Sequence, residues 1–282
     1  MTRLQRTAIA TALLPLLLFS AGCAREGSRK SSRAEIELGA KIFTRTQEYD
    51  RPLGANALAC SNCHLDGGRQ TGALSLVGAA KRYPMPGAGG SSFTLENRIA
   101  RCFTHSLSGK APDPASLEAK ALVAYLTSLC AESAASPPRR SRSNAIDPAN
   151  IVSIAQLNAE RGRMKYDQYC SGCHGLDGQG YREKRTPLPY DYVPPVWGPR
   201  SYDNAAGLAS VYTLAGFVRH AMPWDDPGQV SDLDAQEIAA FVDGQPRPDF
   251  SDKSAWDGAL PSDAVYDPKQ YPKNPFFVPL DQ

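Results

Sequence analysis

Histidine, methionine and tryptophan are rare in this chain. It has 4 His, 4 Met and 3 Trp in 282 residues, beside 7 Cys. Groupings of such scarce residues are therefore unlikely to be chance. Charge of one sign is also missing. The formal net charge is +2, which excludes the strong basic excess that nucleic-acid binding uses. Long apolar runs are absent after the N-terminus. The one such run, Ala8 to Phe19, falls short of the roughly 20 residues a membrane helix needs. What remains is ordinary for a folded soluble chain, 42% hydrophobic and 21% charged. Pro and Gly, 23 each, are raised and point to long loops.

The scarce residues fall into two pentapeptides, Cys60-Ser61-Asn62-Cys63-His64 and Cys170-Ser171-Gly172-Cys173-His174. Cys-x-x-Cys-His is the attachment pattern of c-type haem. Both thiols add to the vinyl groups on one haem edge, and the histidine becomes the proximal iron ligand. A thioredoxin-like pair or half a zinc site is the competing interpretation. Zinc would need four ligands converging from nearby pairs, and these pairs lie far apart in the chain. The pattern predicts two covalently bound haem c groups, held by Cys60, Cys63 and His64 and by Cys170, Cys173 and His174.

Residues 1–22 have the layout of an export signal: Arg3 and Arg6, then the apolar run, then Ser20-Ala21-Gly22. Cys23 follows directly, as in a bacterial lipobox, although Ser20 stands where Leu is usual. The expectation is an exported periplasmic protein anchored through lipidated Cys23, with 23–33 as a tether. Beyond it the sequence predicts an all-α pair of tandem class I cytochrome c domains, at 34–133 and 148–250. A Pro-, Ser- and Arg-rich linker at 134–147 joins them, and residues 251–282 form an acidic extended tail. The bland alternative is one larger α domain with two haems.

Each unit repeats one plan. A helix with Ile36, Leu38, Ile42 and Phe43 precedes the first motif, and one with Ile154, Leu157, Met164 and Tyr166 precedes the second. Gly39 and Gly162 occupy matching places. A closing helix follows in each unit, over Leu117 to Leu129 and Leu233 to Val242. Asp113 and Ser231 are the expected N-terminal signals.

The second iron ligands differ between units. In the second, Met222 in Ala221-Met222-Pro223 is the expected thioether ligand, with His220 as its rival. Such ligation raises a haem's potential. The first unit offers Met85, His105 and Cys102. Arg98 and Arg101 beside Cys102 favour a thiolate, which ligates iron strongly and lowers its potential. A Cys102–Cys130 disulfide is the competing fate; otherwise Cys130 is a buried thiol.

The segments Leu58 to Gly68, Asn97 to Gly109 and Gln245-Pro246-Arg247-Pro248 resemble the dihaem thiosulfate dehydrogenases over most of residues 35–250. The resemblance implies that the first haem, ligated by His64 and Cys102, is the active site. The second, ligated by His174 and Met222, passes electrons to an external acceptor. The implied reaction joins two thiosulfates into tetrathionate, and some members run it backwards. The residues agree with that chemistry. Two electrons leave, and each haem stores one. Residues 65–110 carry Arg69, Lys81, Arg82, Arg98, Arg101 and Lys110 against Asp66 and Glu96, an anion trap for a dianionic substrate. Arg98 is the first choice for gripping sulfonate oxygens, followed by Arg101 and Lys110.

The chain departs from the pattern in four places. The loop 85–92 lacks the usual Arg, His105 and Ser108 stand where Arg and Asn are common, and Ala221 replaces the Lys some relatives carry. Residues 223–282 are rich in carboxylates, which makes them a candidate docking face for a cationic acceptor. Two other functions fit the motifs: a non-catalytic dihaem shuttle, and a related sulfur-oxidation cytochrome acting on carrier-bound sulfur.

Overall fold

The computed structural model describes residues 31–49, 56, 58–86, 91–135, 144–181 and 192–249. The expected signal, Cys23 and most of its tether lie outside the described residues. So do the middle of the linker and the tail at 251–282. Among the described residues no helix is long and apolar enough to cross a membrane.

Six helices of seven residues or more build the described fold: α1 (Arg33–Thr44), α2 (Leu95–Arg101), α3 (Leu117–Ala135), α4 (Ala159–Tyr169), α5 (Val211–Ala221) and α6 (Asp232–Asp243). Among the described residues, a two-residue antiparallel pair, β1 (Met85–Pro86) with β2 (Ser92–Phe93), is the one small sheet. Helix α1 starts at a capping box: the Glu35 amide donates to Ser32 Oγ at 3.2 Å, and the Ser32 amide to Glu35 Oε2 at 2.7 Å. It then crosses α3, and the crossing point is Gly39. A Cβ there would lie 2.0 Å from the Ala121 carbonyl oxygen. Helices α4 and α6 repeat this at Gly162, where a Cβ would lie 2.0 Å from the Glu237 oxygen. The matching glycines of the two units are thus where the backbones touch. Around the first crossing Ile42, Phe43, Leu122, Tyr125 and Leu129 are buried, each contributing about 1.5–3 kcal/mol. Around the second, Tyr166, Trp197 and Phe241 stack with centroids 5.0–5.7 Å apart.

Several expected details change. Helix α4 starts at Ala159, because Asn158 Oδ1 accepts from the Glu160 and Arg161 amides at 3.0 and 3.1 Å. Ile154 sits in a separate 3₁₀ turn and Leu157 in extended chain. Met164 is 51% exposed, and so is Leu117 at 57%. Ser116, not Asp113, caps α3: its Oγ accepts from the Ala119 amide at 3.1 Å, while Asp113 closes an earlier turn through the Ala115 amide. Ser231 caps α6 as expected. Helix α5 was not read from the sequence, although Val211, Leu214, Ala215, Val218 and Ala221 follow a helical period and are buried.

The two units meet across a packed seam, and one contiguous apolar cluster runs through both. The expected linker does not end loosely. Asn144 Nδ2 donates to the Gly72 carbonyl at 2.7 Å, and Ile146 is buried.

Candidate functional site

Both Cys-x-x-Cys-His segments fold as one tight helical turn. The His64 amide donates to the Cys60 carbonyl at 3.0 Å, and the His174 amide to Cys170 at 2.9 Å. Residues spaced i, i+3 and i+4 share one face of such a turn, so the two sulfurs and the imidazole face the same way. Each imidazole is then fixed through Nδ1, His64 by the Leu74 carbonyl at 2.6 Å and His174 by the Pro194 carbonyl at 2.9 Å. An Nδ1–H donated to a carbonyl leaves the Nε2 lone pair for a metal. Burial pulls His64 down to about 4; Arg98 acts in the same direction and the Leu74 carbonyl opposes it. Burial also lowers His174. Both rings are neutral, as ligands must be. Burial pushes the Cys63 thiol up to about 12, with Cys60 and Cys102 adding to the effect. It pushes Cys170 to about 12 as well, helped by Cys173 and Asp167.

The structure separates the three first-unit candidates. Cys102 is a half-buried free thiol at the end of α2, within electrostatic reach of Cys63. It forms no disulfide with buried Cys130. Met85 lies on β1 and is 42% exposed. His105 is buried but faces the second unit, with Nδ1 3.3 Å from Asp203 Oδ2. In the second unit Met222 follows α5, half-buried against the core. Its rival His220 reaches the Ala145 carbonyl through Nε2 at 3.1 Å.

The expected cations divide. Arg98 is near enough to His64 to bear on its protonation, and its Nη2 approaches Gly207 of the second unit. The Arg101 guanidinium lies 5.8 Å from the centroid of the Phe93 ring. Arg69 donates to the Tyr125 hydroxyl at 3.0 Å, a structural use. Lys110 is exposed and, among the described residues, makes no ion pair.

A buried polar cluster at the seam was missed by sequence reasoning. Asp243 Oδ1 accepts from the Tyr202 hydroxyl at 3.2 Å and lies 3.3 Å from Arg247 Nη2. The Arg247 guanidinium is 4.4 Å from the centroid of the Tyr202 ring. Burial, the largest influence, raises the Tyr202 hydroxyl, and Cys63 of the first unit adds to it. Among the described residues, the buried Trp197 Nε1–H has no hydrogen-bond partner. An unmet buried donor costs about 1–3 kcal/mol, and a haem propionate is an acceptor of the right charge. The two neutral imidazoles, the paired thiols and this indole donor all fit covalently bound haem.

A family model described as SoxA/TsdA, cytochrome c domain, matches residues 45–134. One described as cytochrome c oxidase, cbb3-type, subunit III, matches residues 157–242. With the helix crossings, these define an all-α protein of two tandem cytochrome c domains, a class that carries covalently bound haem c. Thiosulfate dehydrogenase of Stutzerimonas stutzeri is 32% identical over 217 residues, covering 76% of this chain and 67% of that protein. The Allochromatium vinosum thiosulfate dehydrogenase is 34% identical over 214 residues, covering 70% of this chain and 72% of that protein. The solved thiosulfate dehydrogenase (TsdBA) of Marichromatium purpuratum superposes with a TM-score of 0.66 at 26% identity, covering 85% of this chain and 54% of that one. The chain belongs to the thiosulfate dehydrogenase family, a family of oxidoreductases.

Proposed function

We propose that this protein oxidises two thiosulfates to tetrathionate and delivers the electrons to an external acceptor. The observation that carries the proposal is Cys102, a free thiol beside the first motif with Arg98 next to that motif's histidine. Haem c would supply one-electron storage at each motif; His64 and Cys102 would hold the first, and His174 and Met222 the second. The remaining chemistry belongs to the side chains. Arg98, with Arg101 and Lys110 in support, gathers the sulfonate oxygens of a dianion. The Cys102 thiolate bonds to the outer sulfur of one thiosulfate as two electrons leave, giving a Cys–S–S–sulfonate. The outer sulfur of a second thiosulfate attacks that sulfur, forming tetrathionate and restoring the thiolate. Charge balances at both stages, and no proton is consumed.

The proposal includes export to the periplasm and anchoring through lipidated Cys23. The test is anaerobic reduction of the purified holoprotein by thiosulfate, followed by visible and low-temperature EPR spectra. The expected result is a thiolate signature at one site, substrate-dependent reduction and tetrathionate as product. Intact mass reports the number of haems and any acyl group. Cys102→Met should keep the haem content and lower turnover at least about 100-fold. Unchanged turnover would leave a plain electron shuttle.

A further inference from the structure

Cys102 opens a π-helical turn, Cys102–Ser106, that continues directly from α2. Such single π turns are rare and are frequent at functional sites. This one is tied to two residues of the second unit, Ser201 and Asp203. Asn56 Nδ2 bridges the Ser106 and Ser201 carbonyls at 2.9 and 3.0 Å. Ser108 Oγ donates to the Ser201 carbonyl at 3.4 Å. His105 and Asp203 are joined twice, by the Asp203 amide donating to the His105 carbonyl at 3.1 Å and by the Nδ1–Oδ2 contact at 3.3 Å. Their side chains are only 11% and 5% exposed. The other carboxylate oxygen of Asp203 accepts from the Ala205 amide at 2.8 Å, so the group cannot swing away without losing a second bond.

We propose that the His105–Asp203 pair is a positioning clasp, through which the second unit sets the place of the Cys102 sulfur in the first. His105 follows Cys102 by less than one turn, so a shift of its ring moves the backbone that aims the thiol. The second unit then shapes the reacting site as well as draining it of electrons. This inference rests on the assignment of Cys102 as the reactive thiolate.

The test uses the full-length holoprotein with Asp203→Ala, Asp203→Asn and His105→Phe. Asp203→Ala removes both side-chain contacts. His105→Phe keeps an aromatic ring and removes the Nδ1 contact, so it stands in if the alanine variant fails to fold. Both should split or broaden the first-site EPR signal and lower kcat about tenfold, with KM within about twofold because Arg98 is untouched. The second-site signal should not move. Asp203→Asn, which keeps one of the two oxygen acceptors, should recover part of the loss in spectrum and kcat. A parental first-site spectrum and kcat in both disruptive variants would overturn the clasp. Equal disturbance of both sites would do so too, since that marks general loosening of the seam. A parent protein with no thiolate signature would overturn the clasp together with the assignment beneath it.

Discussion

Asp243 shows how one buried carboxyl shapes the behaviour of a whole protein. It sits at the end of α6, wholly buried, between the Tyr202 hydroxyl and the Arg247 guanidinium. Burial lifts it to about 7, against the pull of Arg247 and Tyr202. The unfolded carboxyl titrates near ~4. The native state therefore holds this proton more tightly than the unfolded state. Asp243 costs nothing below about pH 4, costs more with each step up to about pH 7, and is constant above that, for a total of a few kcal/mol. Thermal melts should show the parent losing stability from pH 5 to 7.5, while Asp243→Asn follows a flatter profile. Parallel profiles would remove Asp243 as the source. Residues of this kind escape sequence reading. The haem pentapeptides are contiguous, so their chemistry is legible locally. Tyr202 and Asp243 meet only because two loops and a helix converge.

At the scale of elements, both units depend on a crossing with no room for a side chain. Gly162 presses α4 on the Glu237 carbonyl as Gly39 presses α1 on Ala121. Gly162→Ala should force the helices apart, lowering stability by about 1–3 kcal/mol and reducing haem occupancy at the second motif. Chemical unfolding and haem content per chain measure both. A parental unfolding midpoint would mean that α4 and α6 can slide without loss. The crossing helices were legible because burial imposes a 3.6-residue period. Their starts were less so. Asn158 and Ser116 outcompeted Ile154 and Asp113 because a cap is decided by which side chain reaches a vacant amide. Met164 and Leu117 stayed exposed, so neither contributes to the buried face of its helix.

At the scale of the whole molecule, the acid of the second unit is held largely in pairs. Much of the acid of residues 223–249 is already paired: Asp232 with Arg219, Asp234 with Lys165, Glu237 with Arg161 and Asp243 with Arg247. Asp225 and Asp226 remain exposed, and Asp225 lies near enough to raise the Cys173 thiol, after burial. Among the described residues, Asp225 and Asp226 are the exposed carboxylates on the candidate acceptor face nearest the second motif. Electron transfer to a basic cytochrome should slow roughly tenfold between 20 and 200 mM salt, as stopped-flow rates would show. A flat response would remove the carboxylates from docking.

The sequence by itself determined the cofactor chemistry, the two-unit plan and the paired glycines, because each is written in neighbouring residues or in a helical period. Only the tertiary structure decided that Cys102 stays clear of Cys130, that His105 turns to Asp203, and that the units share one core. Those outcomes depend on residues far apart in the chain arriving at one place, and no local pattern encodes where a packed seam will close.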